Sequence, residues 1–353
     1  MTEESSKPMA NGLSRRELFR TLIGGAAIAT LEPSPAKAST RLDQGMHVVI
    51  TGSGSALADP ERGNASAAVV VDGTVVQFDC GRRTMDNLMR AGINPMDVDY
   101  LFFTHLHFDH IATYDYFVVS SWISGRRTPF KVYGPQGTTK MSNGAIYNMH
   151  EMDVRYVKAL VSNWPEASIE PPVSEAPVEV LDCEPGVIVE TDLFKVTATA
   201  TPHIAYPDMK SLGYRVDSRH GSVVISGDTA PSPNMVELAR GADVLVHECV
   251  VPDFGMTEGG KFSASQFHDE ATMNQRTGHT SPTALGKLAQ EARVKKLIAT
   301  HLPPYTSVPA AVAMSEKYYG RTGPEIWAKF TRAMKTHYSG PVILAEDAMV
   351  IEI

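Results

Sequence analysis

The sequence predicts an α/β fold arranged as an αββα sandwich, in which two sheets face each other and helices cover both outer surfaces. Short apolar segments typical of strands alternate with helical segments, and this alternation occurs once in each half of the 353-residue chain. Histidine and aspartate residues follow several of the apolar segments, where the loops of an α/β fold gather. With 43% apolar residues, the chain can bury one large core.

The elements predicted in the first half lead to one histidine-rich segment. Two strands joined by a turn at Asp72-Gly73 precede a helix that ends before Gly92. Residues 164–177 are rich in proline and glutamate, and they predict a surface excursion. The predicted strands are 67–71, 74–79, 98–103, 131–133, 178–181, 186–190 and 194–200, and the predicted helices are 83–90 and 138–160.

The second half repeats the alternation of strand and helix. Ser281 before Pro282 is typical of a helix start, because serine caps free backbone N–H groups and proline suits the first helical position. The predicted strands are 222–228, a segment containing His247, 296–301, 341–344 and 349–353, and the predicted helices are 233–240, 282–292 and 324–337.

The segment Thr104–His110 has the pattern H-x-H-x-D-H directly after a predicted strand. Residues two apart on a tight turn point the same way, so His105 and His107 can bind one metal ion, while Asp109 and His110 face a second position. His203, Asp228 and His301 also lie near strand ends further along the chain. These ligand types favour Zn²⁺, with iron and manganese as competitors.

This set of motifs resembles the metallo-β-lactamase superfamily, and within it the ribonuclease Z and arylsulfatase-like branch. The resemblance extends from about residue 46 to the end of the chain. It rests on the H-x-H-x-D-H pattern together with the following segments in family order: 48–54, Phe78-Asp79-Cys80-Gly81, Ser226-Gly227-Asp228-Thr229, Val246-His247-Glu248-Cys249, Gly278-His279-Thr280-Ser281, 299–302 and 344–349.

The resemblance implies a dinuclear zinc site and assigns its residues. It implies that the first zinc is bound by His105, His107 and His203, that the second is bound by Asp109, His110 and His301, and that Asp228 bridges the two. A bridging hydroxide would then be the nucleophile.

Further roles are expected near these ligands. Asp109 would also orient the hydroxide. His279 would donate a proton to the leaving group while Glu248 holds it, or both residues would only brace the ligand loops. His247 is expected to be structural, because it lies on a buried strand.

Two segments are candidates for substrate binding, and both contain large apolar side chains. Phe117 and Trp122 follow the metal-binding segment, and Phe254 and Met256 begin a long loop before His279. Such side chains suit flat apolar groups at a cleft. The alternative for Phe117 and Trp122 is that they pack a helix onto the core.

The first 38 residues resemble a twin-arginine export signal. Arg15-Arg16 precedes an apolar segment at 22–29, and 35–38 contain an A-x-A cleavage site. We therefore expect a signal peptide at 1–38, a linker at 39–45 and a catalytic domain at 46–353, with the Tat export machinery as a partner and the periplasm as the location. The alternative is a flexible basic leader. No apolar stretch in the sequence is long enough for a spanning helix, so no stable membrane insertion is expected.

Charge and cysteine content narrow the functional classes. The net charge of −8 argues against nucleic acid as a partner, because RNA binding needs basic surface. The three cysteines are too few for a disulfide framework and are expected to be buried thiols.

The leading hypothesis is a periplasmic dinuclear-zinc hydrolase of a small aromatic or ester substrate, similar to an arylsulfatase or a phosphodiesterase. The alternatives are a hydrolytic dehalogenase of activated aryl halides (chlorothalonil type), a ribonuclease Z-like nuclease and a non-catalytic metal-binding protein. Exposed aromatic loops make a homodimer plausible.

Overall fold

A computed structural model describes residues 42–124, 126, 128–163, 178–203, 210–250, 274, 278–304, 308–313 and 325–353. In these residues two seven-stranded sheets pack face to face, and helices pack against the outer face of each sheet. This arrangement confirms the predicted αββα sandwich. The predicted export signal, the excursion at 164–177 and the residues Phe254 and Met256 lie outside the described residues.

The first sheet has the strand order β14-β1-β2-β3-β4-β5-β6. Strand β2 pairs antiparallel with both β1 and β3, whereas β3 to β6 run parallel to one another. The predicted hairpin around Asp72-Gly73 is confirmed. The strands are β1 (Met46–Gly52), β2 (Ser66–Val71), β3 (Thr74–Phe78), β4 (Val98–Phe102), β5 (Phe130–Gly134), β6 (Val178–Asp182) and β14 (Val350–Glu352).

The second sheet has the order β13-β12-β11-β10-β9-β8-β7. Strands β10 to β13 are parallel, so their carboxyl ends lie at one edge of the sheet. Strand β9 pairs with both β8 and β10 and was not predicted from the sequence. The strands are β7 (Gly186–Glu190), β8 (Phe194–Thr201), β9 (Ser211–Ser218), β10 (Gly221–Ile225), β11 (Val244–Glu248), β12 (Lys296–Thr300) and β13 (Val342–Leu344).

The helices have the local signals that their sequences predict. Ser232 and Ser281 each accept a hydrogen bond from a backbone N–H of the helix that they precede, and a proline follows each of them. The helices are α1 (Thr84–Arg90), α2 (Phe108–Ile111), α3 (Tyr114–Ile123), α4 (Thr138–Asn163), α5 (Pro233–Ala239), α6 (Pro282–Ala292) and α7 (Glu325–Lys335), with a short 3₁₀ turn at Pro95–Asp97.

Three apolar cores hold the layers together. The inner core lies between the sheets and contains the stacked rings of Phe78 and Phe102, with Tyr214 packed against both. The two outer cores lie under the helices of each layer. Leu42, which the sequence analysis placed in the linker, is buried in the outer core of the first sheet, so packing begins before residue 46.

Within the described part of the chain, no helix is long and apolar enough to cross a membrane. The three cysteines, Cys80, Cys183 and Cys249, are free and buried, as expected from their number and their positions beside strands.

Candidate metal centre

The segment after β4 supplies four potential ligands within six residues. His105 is buried next to Thr104, and His107 is half-exposed in an extended conformation just before α2. The first turn of α2 then turns the buried side chains of Asp109 and His110 into the same space. A change from extended strand to helical turn therefore brings all four side chains together, which strand periodicity alone would not do.

The other potential ligands come from the second half of the chain, each from a different strand end. His203 follows β8, Asp228 follows β10 and His301 follows β12, and all three are buried. His301 has a φ of 53°, a left-handed conformation that is uncommon for a residue with a side chain. Such a conformation persists only where the surroundings enforce it, and it occurs often at functional sites.

Two groups of ligand atoms result, and within each group the atoms lie within 4.8 Å of one another. The first group consists of His105, His107, His203 and Asp228, and the second consists of Asp109, His110 and His301. Asp228 lies between them. Its Oδ2 is 3.8 Å from Nε2 of both His105 and His203 and 3.4 Å from Nε2 of His301, and its Oδ1 is 3.4 Å from Nε2 of His110.

Hydrogen bonds on the far side of three imidazoles leave each Nε2 directed at this centre. Nδ1 of His203 lies 2.8 Å from the carbonyl of Gly278, and a carbonyl only accepts, so the hydrogen is on Nδ1. Nδ1 of His110 faces the carboxylate of Asp79 at 2.8 Å, and Nδ1 of His105 faces Oγ1 of Thr104 at 3.1 Å. This is the usual arrangement of metal-binding histidines.

The unsatisfied atoms also fit divalent cations. Among the described residues, Nε2 of His105, Nε2 of His110 and Oδ1 of Asp228 are buried and have no hydrogen-bond partner. Leaving buried polar atoms unpaired is costly, and here they converge on one space. Imidazole nitrogens and carboxylate oxygens are ligands that suit zinc, iron and manganese.

The electrostatics of the centre favour ligand protonation states at three of the histidines and at Asp228. His110 differs: burial lowers its pKa, but the charges of Asp228, Asp79 and Asp109 outweigh this effect and hold that pKa well above its usual range. Burial lowers the pKa of His105, His107 and His203, which keeps these imidazoles neutral. Burial raises the pKa of Asp228, but the charges of His301 and His110 outweigh this effect and hold that pKa well below its usual range. Neutral imidazoles and an ionised carboxylate are the forms that bind metals.

His279 lies beside the two groups and is held by Glu248. Its Nδ1 is 3.1 Å from Oε1 of Glu248, and Glu248 also accepts a hydrogen bond from the backbone N–H of Thr280 at 2.8 Å. Burial lowers the pKa of His279, but the charge and hydrogen bond of Glu248, with Asp228, raise it to about 9. Asp228, His279 and His301 also form a third group within ligand range, so the same geometry permits ligation.

His247 points the other way. It lies on β11, where Leu245 packs in an outer core and Val246 in the inner core; its side chain is buried, and its Nδ1 is 2.8 Å from the carbonyl of Glu248. Burial lowers the pKa of His247. These contacts agree with the structural role that its position on a buried strand predicts.

The predicted substrate-binding roles of Phe117 and Trp122 are not supported. Phe117 is 1% exposed and Trp122 is 2% exposed, and Phe117 packs in the outer core of the first sheet with Tyr114 of the same helix. The alternative is therefore the better description: α3 uses these rings to pack onto the sheet.

One exposed apolar residue beside the ligands in the chain was not singled out from the sequence. Phe108, inside the H-x-H-x-D-H segment itself, is 67% exposed. Asp109 and His110 are the buried residues of α2, and Phe108 is not. The signal in the sequence was a large apolar residue placed directly between two ligands.

Comparison with known proteins places the whole architecture in one family. The beta-lactamase superfamily domain matches residues 74–302. A ribonuclease Z of Mycobacterium sp. (strain KMS) is 30% identical over 267 residues, covering 73% of this chain and 85% of the relative. A ribonuclease Z of Mycobacterium marinum is 27% identical over 312 residues, covering 87% of this chain and 99% of the relative.

Solved structures agree in fold. The metallo-β-lactamase fold protein YhfI from Bacillus subtilis has a TM-score of 0.60 at 17% identity, covering 88% of this chain and all of that protein. The short form of human tRNase Z has a TM-score of 0.55 at 22% identity, covering 87% of this chain and 99% of that protein. From the domain match and these relatives, the chain belongs to the metallo-β-lactamase superfamily and is a metal-dependent hydrolase.

Proposed function

We propose that this chain is a zinc-dependent phosphodiesterase that cleaves RNA. The proposal departs from the leading hypothesis of a small aromatic substrate, because relatives aligned over most of the chain are named ribonuclease Z. It takes up the nuclease alternative instead. The substrate is inferred from these relatives, and the zinc and the residue roles are inferred from the ligand types and the geometry of the centre.

The residues of the two groups would hold two cations on either side of Asp228. His105, His107 and His203 would bind the first, and Asp109, His110 and His301 the second. Two such cations lower the pKa of water and offset the charge that develops on phosphoryl oxygens. Of these ligands and His279, only His107 and His279 are partly exposed, and the others are buried.

The observation that carries the proposal is the pair formed by His279 and Glu248. Glu248 holds Nδ1 of His279, which leaves Nε2 of the ring to face a leaving group on the accessible side. A ribose oxygen is a poor leaving group and needs a proton. The aryl oxide of an activated aryl sulfate needs little help, and the halide ion of an aryl halide needs no proton. A bound cation would oppose the rise in the pKa of His279, and the Glu248 carboxylate would help to keep the proton on the ring.

A second candidate is hydrolysis of a small aromatic ester, and the acidic composition favours it. The formal net charge of −8 repels a polyanion such as RNA. The export expected from Arg15-Arg16 would also place the enzyme among small molecules. Replacing both arginines with lysine and locating the protein in cell fractions tests that expectation.

The deciding experiment compares substrates on one zinc-loaded preparation of the full chain. The substrates are a tRNA transcript with additional nucleotides at both ends, bis(4-nitrophenyl) phosphate, 4-nitrophenyl sulfate and a chlorinated aromatic nitrile. We expect the RNA to give the highest kcat/KM, and Asp228→Ala, purified in parallel, to remove the activity and so exclude a contaminating nuclease. Efficient sulfate or nitrile turnover without RNA cleavage would refute the proposal.

A further inference from the structure

Asn274 lies just before the segment that carries His279, and it has no role in the proposed reaction. Its side chain is 4% exposed. Its backbone carbonyl accepts hydrogen bonds from the backbone N–H groups of Gly278 at 3.0 Å and of His279 at 3.3 Å. Its Oδ1 accepts a further one from the backbone N–H of Ser281 at 3.0 Å. A single buried residue therefore holds both ends of the segment 278–281.

The first end of this segment is a turn at Gly278. Gly278 has a φ of 68°, a left-handed conformation that glycine adopts at little cost. The hydrogen bond from its N–H to the carbonyl of Asn274 closes the turn. The carbonyl of Gly278 then accepts the Nδ1 hydrogen of His203 at 2.8 Å. Because His203 belongs to the first group of ligands, the position of this carbonyl affects the first metal position.

The other end of the segment is held by the side chain of Asn274. Ser281 is buried, and its Oγ accepts a hydrogen bond from the backbone N–H of Ala284, so it caps α6. Oδ1 of Asn274 accepts from the backbone N–H of Ser281, and its Nδ2 lies 3.5 Å from Oγ of Ser281. The amide of Asn274 thus ties the start of α6 to the turn at Gly278.

His279 and Thr280 lie between these two ends and contact the centre. Nδ1 of His279 is 3.1 Å from Oε1 of Glu248, which also accepts a hydrogen bond from the backbone N–H of Thr280 at 2.8 Å. Oγ1 of Thr280 donates to the carbonyl of Thr229, the residue after the shared ligand Asp228, at 2.7 Å. A displacement of the segment would therefore move the partner of one ligand and the ring of the proposed proton donor together.

Binding of a cation and delivery of a proton thus depend on the same four residues. We propose that Asn274 is a positioning residue: through the segment 278–281 it sets both the carbonyl that holds His203 and the ring of His279, and so couples the first metal position to the proton donor. The inference rests on the function proposed above, because it needs a metal at one end and a leaving group that requires a proton at the other.

Three substitutions isolate the side chain of Asn274. Asn274→Ala removes both of its polar atoms and the acceptor of the Ser281 N–H, while the backbone carbonyl stays. Asn274→Asp is the conservative variant: it keeps this acceptor, its second oxygen can accept the hydrogen of the Ser281 hydroxyl, and a negative charge suits the N-terminus of α6. Asn87→Ala is the matched control, because Asn87 is a buried amide on α1 that bonds to Thr51 and Asp347.

The first readout needs neither metal nor substrate. In the metal-free full chain labelled with ¹⁵N-histidine, the ring N–H of His203 gives a signal while its bond to Gly278 protects it from exchange with water. We expect Asn274→Ala to lose this signal, and Asn274→Asp and Asn87→Ala to keep it. The ring N–H of His110, which faces Asp79, is the internal reference and should persist in every variant.

A protected His203 signal in a folded Asn274→Ala protein overturns the proposal. Should that variant not fold, Asn274→Leu, which keeps the volume of the side chain without its polar atoms, is judged in the same way.

Zinc affinity shows the first end of the coupling. In competition with a chromophoric chelator, Asn274→Ala should weaken the first position by about 10- to 100-fold, the usual effect of losing a partner of a ligating histidine. The second position should keep its affinity, because Asp109 faces His301 and Nδ1 of His110 faces Asp79. Equal weakening of both positions would show a general loosening of the centre and refute the role.

Turnover at saturating zinc shows the other end. With His279 displaced, kcat for the tRNA transcript should fall by about 10²-fold in Asn274→Ala, whereas kcat for bis(4-nitrophenyl) phosphate should fall much less. Asn274→Asp should restore both. Weakened zinc with full RNA turnover, or the reverse, would refute the coupling. If the wild-type chain cleaved no RNA while the His203 signal and the zinc affinity changed as expected, the proposed function would fail and the positioning of the first metal position by Asn274 would stand.

Discussion

The two halves of the candidate centre are built in different ways. The first half takes His105, His107, Asp109 and His110 from one short segment after β4, and hydrogen bonds from neighbouring Thr104 and Asp79 fix that segment. The second half takes each residue from a separate loop of the second sheet. Asp228 and His301 follow strands that run parallel to the next one, whereas His203 follows β8, which is antiparallel to both of its neighbours. Local sequence therefore specifies the first half, and only the topology of the sheet assembles the second.

The difference assigns different tasks to the two halves. In the first half, His105, Asp109 and His110 are buried, which suits residues whose task is to hold a cation in place. The second half contributes the shared carboxylate, Asp228, and the more accessible pair of His279 and Glu248. We therefore expect substitutions in the first half to lower the metal content. In the second half, we expect some substitutions to lower turnover while the metal content stays the same.

The largest effect is expected where the halves meet. Asp228→Ala should abolish activity and weaken zinc at both positions by more than about 100-fold, a larger loss than that of a supporting partner alone. His301→Ala, by contrast, should empty mainly the second position, because the first group keeps all of its ligands. Elemental analysis after zinc reconstitution measures both. An Asp228→Ala protein that retains one position at full occupancy would show that the halves do not share this ligand.

His279→Ala tests the more accessible side of the second half. Because a ribose oxygen leaves only with a proton, RNA cleavage should fall by about 10²–10⁴-fold, the range typical of general acid catalysis. Turnover of bis(4-nitrophenyl) phosphate should fall much less, and zinc content should stay at the wild-type value. Equal losses on both substrates, or loss of zinc, would show that His279 is a ligand or a brace, as its position near Asp228 and His301 also permits.

The contact between the halves is tested by a pair of glycines. Gly227 and Gly241 have φ values of 58° and 65°, so alanine at either position costs about 1–2 kcal/mol from the left-handed backbone. Only at Gly227 would the new Cβ meet Thr104, whereas nothing lies within 4 Å at Gly241.

Overpacking of this kind adds about 1–3 kcal/mol, so Gly227→Ala should lower the free energy of unfolding in urea by that much more than Gly241→Ala. It should also weaken zinc at the first position through displacement of Thr104. Equal destabilisation by the two substitutions would show that the second sheet does not confine Thr104.

The same contrast explains what the sequence could predict. Strand and helix positions in both halves follow local periodicity and caps, and the site motifs follow strand ends, so the αββα arrangement was predictable. The buried side of α3 was not predictable. The sequence of this helix, Tyr114–Ile123, has apolar residues on every side, so no periodic pattern indicates that Phe117 and Trp122 point inward. The Asp79–Thr104 contact joins two strands through side chains, which no local pattern encodes.

Phe108 gives the smallest expected effect and the sharpest test of substrate choice. Its ring is exposed while its neighbours in the chain, His107 and Asp109, belong to the two ligand groups, so it lies at the rim of the centre. An aromatic contact there would contribute about 0.5–1.5 kcal/mol, and Phe108→Ala should raise KM about 2- to 10-fold with kcat and zinc content unchanged. The effect should vanish for an RNA that lacks the base beside the scissile bond.

Tyr116→Ala, which removes an exposed ring from α3 outside the metal-binding segment, is the control and should leave KM as it is. If the loss were the same with and without the base, Phe108 would act by holding α2 in place, and base stacking at the rim would be excluded.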